Sequence, residues 1–193
     1  MDSTQRRVQY ISLFVTILLL VSADHVTKAL IQANLSPGES IPLLAKALRI
    51  TYVQNYSGFS WFVPALPIWV QIGYQVFLFL LAIVAVPIYL FYTQKRRHTR
   101  WADVTFVCLV SSFLGHSVVD LFFPCTVDFL QVFRSPSANL ADVYSSVGIG
   151  ALLIEIAQFR SIHKPKWKGL RQHLADEVKI QKEFFDFLRK GLK

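Results

Sequence analysis

Four long apolar segments alternate with polar stretches along this chain. They run from about Val8 to Ala33, from Ile68 to Tyr92, from Trp101 to Phe123 and from Leu140 to Phe159. A helix needs roughly 20 apolar residues to cross the hydrocarbon core of a bilayer, so each segment is long enough to span a membrane. The pattern therefore predicts an all-α membrane protein with four transmembrane helices.

The first apolar segment has a second interpretation. It follows Arg6 and Arg7 and ends in the small residues Ser22 and Ala23. A basic start, an apolar middle and a small-residue end are typical of a cleavable secretory signal. A retained transmembrane helix and a cleaved signal both fit this segment, and cleavage would leave a chain that begins at Asp24.

Two regions outside the apolar segments predict further structure. In the loop of residues 34–67, the stretch LRITYVQN is rich in β-branched and aromatic residues, which predicts a short strand in a small β-containing region. Beyond Phe159, apolar residues recur at helical spacing from Leu170 to Leu192, with charges between them. This pattern is typical of an amphipathic helix on a membrane surface or against a partner, and a solvated helix without function fits it equally.

Charge orients the predicted spans. The chain of 193 residues is 53% hydrophobic and has a formal net charge of +8. Most of its 20 Lys and Arg precede the first segment, separate the second from the third, or follow the fourth. The positive-inside rule therefore places both termini in the cytoplasm and the loop of residues 34–67 on the extracytoplasmic face. We expect a membrane domain of residues 1–160 and a basic cytoplasmic tail of residues 161–193.

The same composition argues against several other classes of protein. A basic excess in a membrane protein usually marks cytoplasmic loops, and we expect no nucleic-acid partner. The five histidines are scattered without metal-ligand spacing, so we expect no metal site. Cys108 and Cys125 would lie roughly 25 Å apart along a helix, too far for a disulfide, and we expect two free thiols.

Four carboxylates stand out among the twelve acidic residues because they fall near the same ends of the apolar segments: Asp24, Asp120, Asp128 and Asp142. The predicted orientation places them at about one depth, near the extracytoplasmic face. Charged groups in a membrane are costly and are usually paired or functional. Two carboxylates that face each other can share one proton, so that one acts as acid and the other as base in peptide hydrolysis.

These residues also have purely structural interpretations. Asn139 and Asp142 have the spacing of a capping box, which satisfies free N–H groups at a helix start. Asp24 and Lys28 lie four residues apart on one helix face and can neutralise each other. Asp120 can pair with Lys28 or with His116. The local sequence leaves the structural and the chemical interpretations open.

Short motifs in this chain resemble those of lipoprotein signal peptidase, also called signal peptidase II. TVDFLQV, from Thr126 to Val132, resembles the motif with one catalytic aspartate, and NLADVYSSVGI, from Asn139 to Ile149, closely resembles the motif with the other. DHVTK, from Asp24 to Lys28, resembles the Asp-x-x-x-Lys motif of the first span. QNYSGFSW, from Gln54 to Trp61, resembles the Asn-x-Gly-x-x-Phe-Ser box of the outer loop. The resemblance covers about Tyr10 to Phe159.

The resemblance implies an activity and a location. It implies an aspartyl endopeptidase that cuts lipid-modified prolipoproteins just before their diacylglyceryl cysteine, without a cofactor. It also implies a multi-pass protein of the bacterial cytoplasmic membrane that contacts membrane lipid, acts as a monomer and has its active site at the extracytoplasmic face.

The resemblance also implies residue roles. Asp128 and Asp142 become the catalytic pair, and Asn55 and Asn139 become polar residues that support the substrate and the pair. Asp24 and Lys28, in turn, become structural residues.

Two motifs depart from the family. The box of the outer loop is one residue short when it starts at Asn55, unless Gln54 takes the place of the family's asparagine. The third span of the family carries Gly-Asn-x-x-Asp-Arg, and the matching stretch here is GHSVVDL. His116 replaces the asparagine, the arginine is absent, and Asp120 matches only with a shift. We therefore expect Gly115, His116 and Asp120 to be supporting residues of a divergent member.

Two other functions compete with the peptidase interpretation. A catalytically silent relative that binds lipidated peptides is favoured by the altered third-span motif, although Asp128 and Asp142 are both present. A small transporter that uses the same acids as an ion path predicts carboxylates spread through the depth of the bilayer.

Overall fold

The computed structural model describes residues 3–44, 47–56, 67–117, 125–162 and 170–190, and it is mostly helical with one small sheet. The elements, in chain order, are α1 (Ser3–Asn34), β1 (Ser40–Leu44), β2 (Leu48–Asn55), α2 (Ile68–Lys95), α3 (Arg100–Ser117), β3 (Thr126–Val132), α4 (Leu140–Ile162) and α5 (Leu170–Arg189).

Three of the described helices are long and apolar enough to cross a membrane, namely α1, α2 and α4. Their outward faces expose large apolar side chains such as Phe14, Phe77 and Leu153, which is typical of helices surrounded by lipid. The predicted third span corresponds to α3, which is described for 18 residues and is not among these three. Residues 118–123, the end of that predicted span, lie outside the described residues. The helical membrane fold is therefore confirmed, and three of its predicted spans correspond to such helices.

Helix α3 lies in the middle of the bundle and contacts α1, α2 and α4. Ile17 of α1, Ala82 of α2, and Val107 and Val110 of α3 form one buried apolar cluster. Burial of these side chains joins the first three helices along one seam. Helix α1 runs without a break through Ala23, where the signal interpretation placed a cleavage site.

Small residues bring α3 and α4 close together. The Ser112 hydroxyl donates to the Ser145 hydroxyl over 3.1 Å. A Cβ atom added to Gly148 would lie 2.9 Å from the side chain of Leu109. Helices in membranes associate mainly by close packing and polar contacts, which small residues allow. This interface fixes α4 against the centre of the bundle.

The three strands form an antiparallel sheet in the order β1-β2-β3. Strand β2 is the stretch LRITYVQN, so the predicted strand is confirmed. Tyr52, Val127 and Phe129 of the sheet are buried against Ile31 of α1 and Leu140 of α4. The sheet therefore covers one end of the bundle, where α1 ends and α4 begins. We call it the sheet end.

The predicted tail helix is present as α5 and packs on the last turns of α2. The Phe91 ring contacts the rings of Phe184 and Phe187 edge-on, at centroid distances of 5.4 and 5.6 Å. Arg96 Nη2 lies 2.8 Å from Glu183 Oε2 in an exposed ion pair. These contacts lie at the opposite end of α2 from the sheet, which we call the tail end.

Candidate active site

Two amide groups hold the Asp128 carboxyl at the sheet end. Asn55 Nδ2 donates to Asp128 Oδ2 over 3.0 Å, and Asn139 Nδ2 donates to Asp128 Oδ1 over 2.8 Å. Val53 pairs with Asp128 and Asn55 pairs with Thr126 across the two strands, so Asn55 and Asp128 are diagonal neighbours on one face of the sheet. The strand register therefore places one amide donor on the aspartate.

A tight return of the chain brings the second donor to Asp128. The backbone N–H groups of Phe129 and Leu130 both donate to the Ala138 carbonyl, over 2.8 and 2.7 Å. The Ala138 N–H donates in turn to the Leu130 carbonyl over 2.9 Å. Phe133, within the turn, adopts a positive φ of 54°. Asn139 follows directly after this return, and it therefore lies beside Asp128 at the start of α4.

Asn139 and Asp142 form a reciprocal capping box. The Asn139 backbone N–H donates to Asp142 Oδ2 over 2.9 Å, and the Asp142 backbone N–H donates to Asn139 Oδ1 over 3.2 Å. The structural interpretation of their spacing is therefore correct. The cap uses only one oxygen of Asp142. The other, Oδ1, lies 3.3 Å from His116 Nε2, and the Asp142 side chain is 45% exposed.

One asparagine thus links the two carboxylates. Asn139 is fully buried; its side-chain amide donates to Asp128 and its backbone N–H donates to Asp142. Because Asn139 Oδ1 accepts the Asp142 N–H, its NH₂ group has to face Asp128. Asp142 can therefore cap the start of α4 and also pair with the Asp128 carboxyl.

The two carboxylates lie in unequal surroundings. Asp128 is only 6% exposed, and burial raises the pKa of its carboxyl from 3.8 to about 6. The hydrogen bond from Asn55 opposes this rise in pKa, and the negative charge of Asp142 adds to it. Asn139 and His116 oppose it further. Asp128 therefore retains a proton more readily than an ordinary aspartate, as an acid in such a pair has to do.

The buried pair of Asp24 and Lys28 joins three helices. Lys28 Nζ lies 2.9 Å from Asp24 Oδ2, and both side chains are buried. Asp24 Oδ1 accepts the Ala141 backbone N–H of α4 over 3.2 Å, and Lys28 Nζ donates to the Gly115 carbonyl of α3 over 3.4 Å. The carboxylate thus meets the positive end of α4 and the ammonium meets the negative end of α3. The two groups neutralise each other, as their spacing indicated, and they also fix both helix ends.

Gly115 permits the close approach of α3 and α4 at this point. A Cβ atom added there would lie 3.0 Å from the Ala141 Cβ and 3.3 Å from Asp24 Oδ2. Of the two polar residues at the end of β2, Asn55 reaches Asp128, and Gln54 hydrogen-bonds the tyrosine hydroxyls of residues 52 and 56. All the predicted site residues except Asp120 meet at the sheet end. Asp120 lies outside the described residues.

Two carboxylates that the sequence patterns did not single out lie at the tail end. Glu155 is 4% exposed and accepts the hydroxyls of Tyr92 and Thr99, each over 2.6 Å. Asp103 accepts the Tyr89 hydroxyl over 2.6 Å. Of the four carboxylates singled out from the sequence, Asp24, Asp128 and Asp142 lie together at the sheet end, as expected, and Glu155 and Asp103 are additional acids at the other end. A lone acid inside the fourth apolar segment was the available signal for Glu155.

The structure also tests the expectations for the cysteines and for a metal site. Cys108 and Cys125 are free thiols, and both are buried. Within the described residues, no group of three His, Cys, Asp or Glu side chains lies close enough to hold a metal ion.

Comparison with known proteins decides the family. Residues 16–158 match the family described as Signal peptidase (SPase) II. The chain belongs to the signal peptidase II family. The resemblance seen in its motifs is confirmed, and the chain is an aspartic-type signal peptidase.

Curated lipoprotein signal peptidases are similar to most of this signal peptidase II chain. That of Halothermothrix orenii is 27% identical over 141 residues, which cover 73% of this chain and 90% of the relative. That of Latilactobacillus sakei subsp. sakei is 30% identical over 143 residues, which cover 72% and 89%. That of Fusobacterium nucleatum subsp. nucleatum is 28% identical over 152 residues, which cover 76% and 84%.

Two solved structures share the fold of this signal peptidase II chain. Both are described as bacterial membrane enzymes determined by the in meso method. The first has a TM-score of 0.63 at 21% identity, and the match covers 81% of this chain and 93% of that one. The second has a TM-score of 0.59 at 22% identity, with 75% and 92% covered. The arrangement of a helical bundle with a small sheet at one end is thus a known membrane-enzyme fold.

Proposed function

We propose that this peptidase removes the signal peptide of lipid-modified prolipoproteins by cutting just before the diacylglyceryl cysteine. Removal of signal peptides from lipoproteins is the activity for which its curated relatives are named. The observation that carries the proposal for this chain is the link from Asp128 to Asp142 through Asn139. Asp128 and Asp142 are the proposed catalytic pair.

The proposed reaction is hydrolysis by an acid and a base. The Asp142 carboxylate takes a proton from water, whose oxygen attacks the carbonyl carbon of the scissile bond, while Asp128 gives its proton to the carbonyl oxygen. The product is a tetrahedral diol. As the C–N bond breaks, Asp142 returns its proton to the leaving amine of the cysteine and Asp128 takes one back from a diol hydroxyl. Both side chains end in their starting states.

The positions of the helix ends support Asp142 as the base and Asp128 as the acid. Asp142 lies in the first turn of α4, where the positive end of the helix dipole stabilises an anion. Asn55 and Asn139 orient Asp128, and the Asp24–Lys28 pair with Gly115 holds the ends of α3 and α4 together. A lipid-anchored substrate reaches the mouth of α4 from the side, because the site lies at one end of apolar helices.

The proposal includes α3 as a fourth membrane span. At one of its ends Thr99 donates to Glu155, and at the other His116 lies against Asp142. Helix α3 therefore runs antiparallel to α4 along most of its length. Its 18 residues extend over about 27 Å, close to the thickness of the hydrocarbon core.

In the proposed arrangement, the sheet end faces the extracytoplasmic side of the bacterial cytoplasmic membrane and both termini lie in the cytoplasm. Residues 1–160 form a monomeric peptidase domain in contact with membrane lipid, and residues 161–193 form the basic tail. Helix α5 rests on α2 and exposes Val178 and Phe185, at 49% and 61%, on a different face. That face lies on the cytoplasmic membrane surface in the proposal.

Cleavage itself is the direct test of the proposed function. Purified protein is incubated with a diacylglyceryl-modified prolipoprotein and with the same precursor lacking the lipid. We expect a mass loss equal to the signal peptide for the modified precursor alone. An intact modified precursor, in a preparation where an active control enzyme cuts it, would favour the silent relative.

Orientation can be tested with single cysteines in a background that lacks Cys108 and Cys125. Ser36→Cys lies in the exposed turn before β1, and Lys179→Cys lies on an exposed face of α5. In intact cells, an impermeant thiol reagent should label position 36, and position 179 only after lysis. The reverse pattern would overturn the orientation. The N-terminal mass of the same protein decides the signal interpretation, since a chain starting at Asp24 has lost its first segment.

A further inference from the structure

We propose that His116 is a positioning residue whose imidazolium keeps Asp142 ionised and thereby makes Asp142 the base and Asp128 the acid. This inference rests on the proposed function, because it assigns roles within the same pair. It also gives a function to the histidine that stands where the family motif has an asparagine.

The first observation is the contact itself. His116 Nε2 lies 3.3 Å from Asp142 Oδ1, and the histidine side chain is only 16% exposed. The other oxygen of Asp142 accepts the Asn139 backbone N–H over 2.9 Å. The carboxylate plane is therefore fixed from both sides, by the cap on one oxygen and by the imidazole on the other.

The second observation is the position of the two groups on their helices. His116 lies in the last turn of α3, where the negative end of the helix dipole favours a cation. Asp142 lies in the first turn of α4, where the positive end favours an anion. Both helix ends therefore favour the charged forms, and an ion pair across the gap satisfies both.

The third observation is how the neighbouring charges are distributed. Lys28 is paired with Asp24 at 2.9 Å, and His25 Nδ1 is also directed to Asp24, at 3.9 Å. His116 is directed to Asp142. Among the described residues, the hydrogen-bond donors to Asp128 are the neutral amides of two asparagines, and the charge of His116 lowers the pKa of Asp128 less than either amide does. Asp128 is therefore the carboxyl that keeps its proton more readily, with a pKa of about 6.

The histidine does not exchange protons in this scheme. Its N–H stays directed to Asp142 while the carboxylate accepts and returns the proton of water. Substitution of His116 should therefore change how easily Asp142 ionises, while the binding of substrate stays much the same.

The enzymatic test compares His116→Gln, which keeps a hydrogen-bond donor without a charge, with His116→Lys, which restores a cation. In His116→Gln, the acid limb of the kcat/KM profile should move to higher pH by roughly one to three units, with KM near that of the parent. His116→Lys should move it back. His98→Gln is the matched control, since His98 contacts Asp103 at the tail end and should leave the profile unchanged.

A second measurement needs no cleavage. The ring nitrogens of His116 are followed by NMR through a pH titration of the parent and of Asp142→Asn. By linkage, His116 should lose its proton at lower pH once the anion is removed. The inference is overturned if His116 loses its proton at the same pH in the parent and in Asp142→Asn. It is also overturned if the acid limb of the kcat/KM profile does not move in His116→Gln. A clear NMR response in a protein that cuts no prolipoprotein overturns the proposed function and leaves the pairing intact.

Discussion

Asp128→Asn and Asp142→Asn should each remove nearly all cleavage of a lipid-modified prolipoprotein. Each change keeps the shape of the side chain and removes the ionisable proton, so we expect a loss on the order of a hundredfold to ten-thousandfold in rate. The double variant should lose little more than either single one, since the two groups act as a unit. Initial rates per folded molecule, measured by mass spectrometry of the product, give the comparison.

Both variants should fold, for different reasons. An asparagine at position 142 still offers an oxygen to the Asn139 N–H, so the cap is preserved. The Asp142 N–H holds the Asn139 amide with its NH₂ group toward position 128. An asparagine at position 128 therefore directs its oxygen to Asn139 and its NH₂ group to Asn55. The Asn55 amide can rotate by half a turn to accept that NH₂ group. Thermal melting in detergent checks that neither protein is merely unfolded.

Asp120→Asn serves as the comparison variant in the same assay. We expect it to change yield or thermal stability more than turnover. Near-parental cleavage by Asp142→Asn would leave Asp142 as a cap alone. An Asp120→Asn variant as inactive as Asp128→Asn would make the true pair a different one.

The pH dependence follows from the same pair. In the proposed reaction Asp128 has to hold a proton, and its pKa of about 6 lies well above that of an ordinary aspartate. In the parent enzyme, kcat/KM should therefore fall as pH rises beyond about 6, because the acid form of Asp128 is lost. A rate that rises steadily with pH through this range would contradict the assignment of Asp128 as acid.

The sequence could predict which residues lie near one another at the sheet end but not how they meet. The spacing of Asn139 and Asp142 predicted the cap, and the resemblance supplied Asp128 as a second carboxyl. That one asparagine joins the two depends on the return of the chain at Ala138 and on the register of β2 with β3. That register shifts between Ile50 and Val53, an irregularity that no alternation pattern reveals.

Tertiary contacts explain the two other differences between expectation and structure. Periodicity predicted α5, but it could not show that Phe184 and Phe187 pack on Phe91, because the partner of an apolar face lies elsewhere in the chain. The sequence pattern did not single out Glu155, because one acidic residue barely changes the mean hydropathy of an apolar segment. Carboxylates at two depths are what the transporter interpretation predicts. Glu155, however, is held by Tyr92 and Thr99, which gives it a bracing role between helices.

Asp24→Asn and Lys28→Met should each destabilise the fold strongly. Removing one member of a buried ion pair leaves the other charge without compensation, which typically costs about 3–5 kcal/mol. The asparagine is the more informative change. Its oxygen can still accept the Ala141 N–H, but its NH₂ group then faces Lys28. Thermal melting in detergent, followed by intrinsic fluorescence, gives the size of each loss.

The double variant Asp24→Asn/Lys28→Met decides whether charge or packing is responsible. It removes both charges, so it should recover much of the stability lost in the single variants. Glu183→Gln is the matched control, because the Arg96–Glu183 pair is exposed and should contribute less than about 1 kcal/mol. Cleavage should fall with stability in the single variants and return in part in the double one, since Asp24 holds the first turn of α4 that carries Asp142. If the double variant loses as much stability as the two single variants together, the two charges are not coupled. The effect would then come from packing and from the lost helix contacts.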